Sequence, residues 1–545
     1  MVEDVKISDP AHPATNVTTY GIPDVPASLK AALATYTNAA LPYHAEVYAH
    51  PKSKNPAALF VSGRSAPKAP AEFYYLPEVE GTLSRVTDLS GPEHAGDMVN
   101  AWVPLPNGDC YFSMDEGGNE TWQLWFWTAQ RGMERLTQDK ARYSSLKLSP
   151  CATMLAYAST KRNGKDMDIY VRKISAASPT EDEEVLVLEA EGALAGAWSV
   201  ADWSSDGRSL LVSRTYSNTW SEMFSLAVSD LEARSTPNQI LLPGFSADQH
   251  VSAWGFFSKI NPDLIYIITD AFSDFRSLCE LNRVTGELQH IASDSPSALV
   301  RVSWDVSKAI IRKARLVFGT NEDGYSVMRV MDVTTRESRI VTALPKGVHK
   351  SLAMRHDGKK IVIEVDSSRA PGTLYEVDTD SLEVSIVAAT APPPPPHPIT
   401  DPELIHVKSF DGLEIPAFVY APNHAKVEKA PVCIYIHGGP ASQITPSFTA
   451  PNHPLPFQFL VQEMGIAVIA PNVRGSLGYG KKFMQADDVL LREDSVKDIG
   501  AIIEWIKTQP QYDASKISVM GRSYHLLSAG DQTSRWEDCA EVKLT

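Results

Sequence analysis

A β-propeller of about seven blades followed by an α/β domain is the architecture that this 545-residue sequence predicts. Three observations carry it. An apolar residue, a Ser/Pro/Asp-Gly turn and then a strand return together through residues 55–390. A run of prolines over 391–398 ends that region. Beyond it, continuous apolar strands alternate with an amphipathic helix, the pattern of a mostly parallel sheet covered by helices.

Size and charge narrow the classes. A chain of this length exceeds one compact core, so at least two domains are expected. The balance of 50 basic and 66 acidic residues leaves a formal charge of −16, which argues against a nucleic-acid partner. No segment approaches the 18 consecutive apolar residues of a membrane span, so no membrane association is expected. The acidic, polar N-terminus carries no secretory signal. Cys110, Cys151, Cys279, Cys433 and Cys539 are scattered, implying neither a disulfide framework nor a metal site. Free thiols fit a reducing, cytoplasmic setting, and no cofactor is expected.

Taken in order, residues 1–54 read as a Pro- and Ala-rich extension with one helix across 28–37, capped by Ser28. The propeller is expected over 55–390. Its repeating turn stands at Asn107-Gly108, Ser149-Pro150, Ser205-Asp206-Gly207, Pro262 and Asp357-Gly358, with a degraded copy near 303–308 and a first blade near 57–75. The spacing of roughly 40 to 55 residues is that of one four-stranded blade. Stacking such blades into a ring covers both apolar faces of each sheet and leaves only short edges. Asp115-Glu116-Gly117-Gly118-Asn119-Glu120, before an aromatic strand, reads as a solvated turn rather than a binder for a peptide amino terminus. The prolines donate no backbone hydrogen bonds and hold an extended form, so 391–400 reads as a stiff linker.

Residues 401–545 carry the chemistry. A hairpin over 405–420 turns at Asp411-Gly412, and 431–436 is a buried strand that runs into His437-Gly438-Gly439-Pro440. Residues 465–470 form the next strand, leading into 471–480. A helix over 494–508 places Val496, Ile499, Ile503 and Ile506 on one stripe. The last strand, 516–520, ends in Gly521-Arg522-Ser523-Tyr524. A strand closing in Gly-x-Ser is how an α/β-hydrolase lifts a nucleophilic serine out of its sheet.

Four motifs in this order, His437-Gly-Gly-Pro440, Asn472-Val-Arg-Gly-Ser476 with Gly478-Tyr-Gly480, Asp498 with Trp505, and the run from Lys516 to Tyr524, resemble the prolyl oligopeptidase family of serine peptidases, nearest its acylaminoacyl-peptidase and dipeptidyl-peptidase V branch. The resemblance implies a propeller covering an α/β-hydrolase, short peptides as substrates, Ser523 as nucleophile, and an oxyanion hole from the backbone N–H of Tyr524 and the Gly438–Gly439 loop. Each such donor is typically worth about 3 kcal/mol of barrier.

One departure tempers it. The family continues with two glycines after the tyrosine, whereas this sequence reads His525-Leu526-Leu527, and 526–545 carries no family motif. Hydrolase triads run Ser, Asp or Glu, then His. No histidine follows His525, and His437 reads as a loop-packing residue rather than a base. The expectation is therefore an incomplete α/β-hydrolase domain, truncated after the nucleophile elbow, with Ser523 deprived of its base. The alternative is a non-catalytic propeller module that binds peptides or proteins beside a vestigial hydrolase half.

Overall fold

The computed structural model describes residues 99–521 apart from 175–182, 229–234, 247–249, 293–310, 313, 355–357, 371, 390–398, 400, 423–427, 440–441 and 449–455. Before residue 99 it describes one helix, several short strands and a few single residues. The degraded repeat at 303–308, the proline run and the segment from Arg522 onward lie outside the described residues.

Seven four-stranded antiparallel sheets follow one another among the described residues, from Val47–Tyr48 to Val384–Ala389. The inner strand of the first, Val47–Tyr48, lies ahead of residue 55. First strands of the second to fifth sheets pack on one another in turn, and Val348–Met354 of the seventh meets Val47–Tyr48 of the first, which closes the ring. At the second, third, fourth, fifth and seventh sheets the recurring motif leads into the second strand, which is sandwiched between blades. Cys110–Met114 is buried at every position, and Leu264–Thr269 at all but its first.

Local chemistry builds the turn ahead of that strand. At the fourth sheet, the Asp206 carboxylate accepts hydrogen bonds from the Ser204 hydroxyl (2.6 Å) and the Arg208 N–H (3.0 Å), and Gly207 takes a positive φ of 70°. The neighbouring Trp203 is fully buried, and its indole N–H donates 2.9 Å to the Lys147 carbonyl of the third sheet, tying two blades together.

The acidic segment at 115–120 is a capped turn. Asp115 is buried and accepts from the Glu120 N–H (2.9 Å), while Gly117 N–H donates to Asp97 (2.8 Å). Glu116 and Glu120 are exposed and face Arg135 and Arg142.

The second domain has strands β1 (Glu403–Lys408), β2 (Glu414–Tyr420), β3 (Ala430–Ile436), β4 (Ala467–Pro471) and β5 (Tyr512–Gly521) in the spatial order β1-β2-β4-β3-β5. The β1–β2 hairpin is antiparallel, and β4, β3 and β5 run parallel. Four helices accompany the sheet: α1 (Ala27–Thr37), α2 (Phe457–Gln462), the single turn α3 (Lys481–Met484) and α4 (Arg492–Thr508). Ile434 and Ile469 on one face meet Ile499, Ile502, Ile503 and Ile506 of α4. Val496 is only half-buried, because the 3.6-residue period centres the stripe on 499, 502, 503 and 506. On the other face, Phe418, Tyr420 and Tyr435 pack with α2 and α1. The N-terminal helix thus belongs to the hydrolase sheet. Its Tyr36 is buried, stands edge-on to Phe459 and donates 2.9 Å to Glu463.

Hairpins between the second and third strands of the fourth to seventh sheets carry this domain. The Asp274 carbonyl and carboxylate accept the N–H groups of Lys481 (2.7 Å) and Lys482 (2.8 Å), Asn321 donates to Gln443 (2.7 Å), and Ser368 donates to Asp401 (2.8 Å). Gly324 leaves room for Phe418; a Cβ there would stand 2.9 Å from the ring. Among the described residues no helix is long and apolar enough to cross a membrane.

Candidate functional site

The site is assembled where β3 and β5 leave the sheet. These strands are parallel neighbours and Ile436 is the register partner of Gly521, so the His437 loop and the chain leading to Ser523 depart side by side. In an open parallel sheet that carboxyl end is where functional groups gather. Gly438 is buried and Gly439 exposed. Ser523 and Tyr524 lie outside the described residues.

His437 is completely buried. Its Nδ1 is 2.8 Å from the Gly438 carbonyl, so Nδ1 carries the proton and donates it. Its Nε2 is 2.9 Å from Ser476 Oγ. Burial pushes the imidazole below its usual range, against the opposing hydrogen bond to Gly438. A neutral ring leaves Nε2 as acceptor for the Ser476 hydroxyl, which has the Val473 carbonyl as a second acceptor at 2.6 Å.

The segment after β4 braces this loop. Asn472, fully buried, accepts the Ile444 N–H (2.7 Å) and donates to the Ile444 carbonyl (3.1 Å) and to Tyr479 Oη (3.0 Å). Arg474 forms a fork. Its guanidinium donates to Asp411 at 2.9 and 3.1 Å and to the wholly buried Asp498 at 2.8 to 3.1 Å. Asp498 also accepts the Arg474 N–H (2.9 Å) and the Ser409 hydroxyl (2.6 Å). Burial works against the Arg474 charge, but hydrogen bonds to Asp498 and Asp411 outweigh it and raise its pKa. Reciprocally, Arg474 holds the Asp411 carboxyl below its usual range.

Gly475, at φ 91°, has the Asp487 carboxylate directly behind it; a Cβ would stand 2.3 Å from Oδ1. Burial pushes Asp487 up to about 6, against the opposing pull of Arg492. The folded state therefore holds this proton more tightly than the unfolded chain, and Asp487 lowers stability as pH rises from 3.8 to about 6. Asp487→Asn is expected to raise the melting temperature at pH 7 and to flatten that part of the profile. An unchanged slope of melting temperature against pH in the variant would refute this.

The motif residues His437, Gly438, Gly439, Asn472, Arg474, Ser476 and Asp498 are thus brought together. The pairings His437–Ser476 and Arg474–Asp411 span 39 and 63 residues and left no sequence signal. Among the described residues no three His, Cys, Asp or Glu side chains converge on a possible metal site.

Comparison with known proteins agrees with this geometry. A model described as "Prolyl oligopeptidase family" matches residues 455–525. The chain is 28% identical over 192 residues to the uncharacterized peptidase YuxL of Bacillus subtilis, covering 33% of this chain and 27% of that protein. It is 33% identical over 115 residues to dipeptidyl-peptidase 5 of Schizosaccharomyces pombe, covering 21% and 16%. The matched stretches thus span under a third of either relative's length. A solved prolyl endopeptidase superposes with a TM-score of 0.73 at 17% identity, over 93% of this chain and 72% of that one, and so shares the fold. Motifs, the family match over residues 455–525 and the propeller-plus-hydrolase architecture together make this chain similar to the prolyl oligopeptidase family.

Proposed function

We propose that this protein is a serine peptidase that hydrolyses short peptides, of acylaminoacyl- or dipeptidyl-peptidase type, through an acyl-enzyme on Ser523. The observation that carries the reading is the register of Ile436 with Gly521, which delivers the nucleophile's strand beside His437-Gly438-Gly439. Backbone N–H groups of Tyr524 and of the Gly438–Gly439 loop are the assigned donors to the developing oxyanion. The propeller hairpins over this end of the sheet favour short or unfolded peptides. Cys110, Cys279 and Cys433 are free thiols, which suits the cytoplasm as the place of action.

A fluorophosphonate probe tests the nucleophile. Its adduct is expected to map to Ser523 by peptide mass spectrometry and to vanish in Ser523→Ala. The rate reads the base: a serine without an engaged base reacts slower by about 10⁴ to 10⁶. A folded, monodisperse chain that binds short peptides yet never labels would support the non-catalytic propeller module instead.

A further inference from the structure

A pocket of about 40 Å³ opens between the two domains, bounded by the hairpin between the second and third strands of the fifth sheet and by the segment from Leu477 to Met484. It adjoins the candidate site through that segment. Leu477 follows the Ser476 that bonds His437, and its N–H donates 2.8 Å to the Ser442 carbonyl, just past the Gly438–Gly439 loop.

Asp270 lines this pocket and is only 5% exposed. Its Oδ1 accepts the Ser252 N–H at 2.8 Å, whereas its Oδ2, also buried, has no hydrogen-bond donor among the described residues. A buried carboxylate oxygen left without a donor is costly, and a ligand that supplies one removes the cost. Two cations stand nearby and are engaged elsewhere. Lys481 Nζ donates 2.8 Å to the His250 carbonyl and lies 3.7 Å from Oδ1, and the Arg276 guanidinium lies 4.6 Å over the Trp254 ring. Burial pushes the Asp270 carboxyl up, against the opposing pull of the Ser252 N–H and of both cations. Asp274 brings a second carboxylate to the lining, and Phe275, Leu477 and Met484 bring apolar surface. Acid and apolar surface in one pocket match a side chain with a methylene stem and a cationic head. Room for only a few water molecules suits a narrow chain rather than a ring.

We propose that this pocket is a subsite for the lysine side chain of a bound peptide, in which the ammonium donates to Asp270 Oδ2 and Asp270 thereby sets specificity. The inference rests on the peptidase reading and deepens it by naming a substrate class, short peptides that carry lysine.

Calorimetry on the 545-residue chain tests it, with tetra-alanine peptides blocked at both ends in which lysine, norleucine or glutamate replaces one alanine at each position in turn. Norleucine keeps the stem and lacks the charge. At one position lysine is expected to bind about 10- to 100-fold tighter than norleucine, the usual effect of one charge-assisted hydrogen bond, and glutamate more weakly than norleucine. Asp270→Asn is expected to remove the lysine advantage. The comparison of peptides is made first in wild type, so it decides the matter whatever the variant does to folding.

Equal affinity for lysine and norleucine at every position overturns the proposal, and so does a lysine advantage that survives Asp270→Asn. Tetra-alanine with a free amino terminus, binding as tightly as the blocked lysine peptide, would assign the pocket to the terminal ammonium and overturn the side-chain reading. Fluorophosphonate labelling separates this from the underlying reading. A labelled Ser523 without lysine preference overturns the subsite and leaves the peptidase, whereas lysine preference in a chain that never labels upholds the subsite and overturns the acyl-enzyme.

Discussion

Asp498→Ala is expected to destabilise the hydrolase half by about 3–5 kcal/mol, the cost of breaking a buried ion pair by removing one partner. Asp498 is wholly buried and receives the Arg474 guanidinium, the Arg474 N–H and the Ser409 hydroxyl. Its loss leaves a 4% exposed guanidinium with Asp411, a carboxylate whose side chain is 41% exposed, and the more distant Asp494 at 3.9 Å. Water screens that remaining pair, so Asp411→Ala is expected to cost under about 1 kcal/mol. Urea unfolding followed by hydrogen exchange in α4 and β3 separates the two variants. Equal, small losses in both would show that the fork is a surface feature. The consequence for function is spatial: Asp498 ties α4 to the loop after β4, and that loop carries the Ser476 that holds His437.

Trp203→Ala is expected to cost about 3–5 kcal/mol in the propeller, the usual range for emptying a buried tryptophan site. Trp203 is 1% exposed and packs among Val200, Leu210, Val212 and Leu226 between the third and fourth sheets. Trp203→Phe keeps most of the packing but leaves the Lys147 carbonyl without its indole donor, and the expected loss is about 1–3 kcal/mol. The ordering Ala worse than Phe, read from urea midpoints of the propeller's transition, tests whether the indole works mainly by volume. A larger loss for Phe than for Ala would reverse that account.

Much of the fold was legible because its signals are local. The propeller's turn is written within five residues: Ser204 and Asp206 capture their own neighbours' N–H groups, and Gly207 accepts a positive φ that other residues resist. The run Cys110–Met114 is apolar at nearly every position because neighbouring blades cover both its faces. The start of α4 at Arg492, two residues before the sequence pattern begins, and the substitution of Ile502 for Val496 on its buried stripe are small departures of the kind that boundaries always show.

The site was legible in parts and not as a whole. His437-Gly438-Gly439 is recognisable from its glycines, which allow close approach of a backbone. Nothing near Ser476 announces that its hydroxyl reaches His437, and nothing near Asp411 announces Arg474. The capture of Lys481 and Lys482 by Asp274, more than 200 positions away, is equally silent.

By itself, then, the sequence determined which stretches become strands and helices, how often the blade repeats, and that a Gly-x-Ser turn follows a strand, because each depends on a few consecutive residues. Only the tertiary structure decided the β1-β2-β4-β3-β5 order, the docking of α1 on the hydrolase sheet, and the placing of Ile436 beside Gly521. Those outcomes depend on which apolar faces bury each other once the whole chain has closed, and contacts between residues tens to hundreds of positions apart leave no periodic trace along the chain.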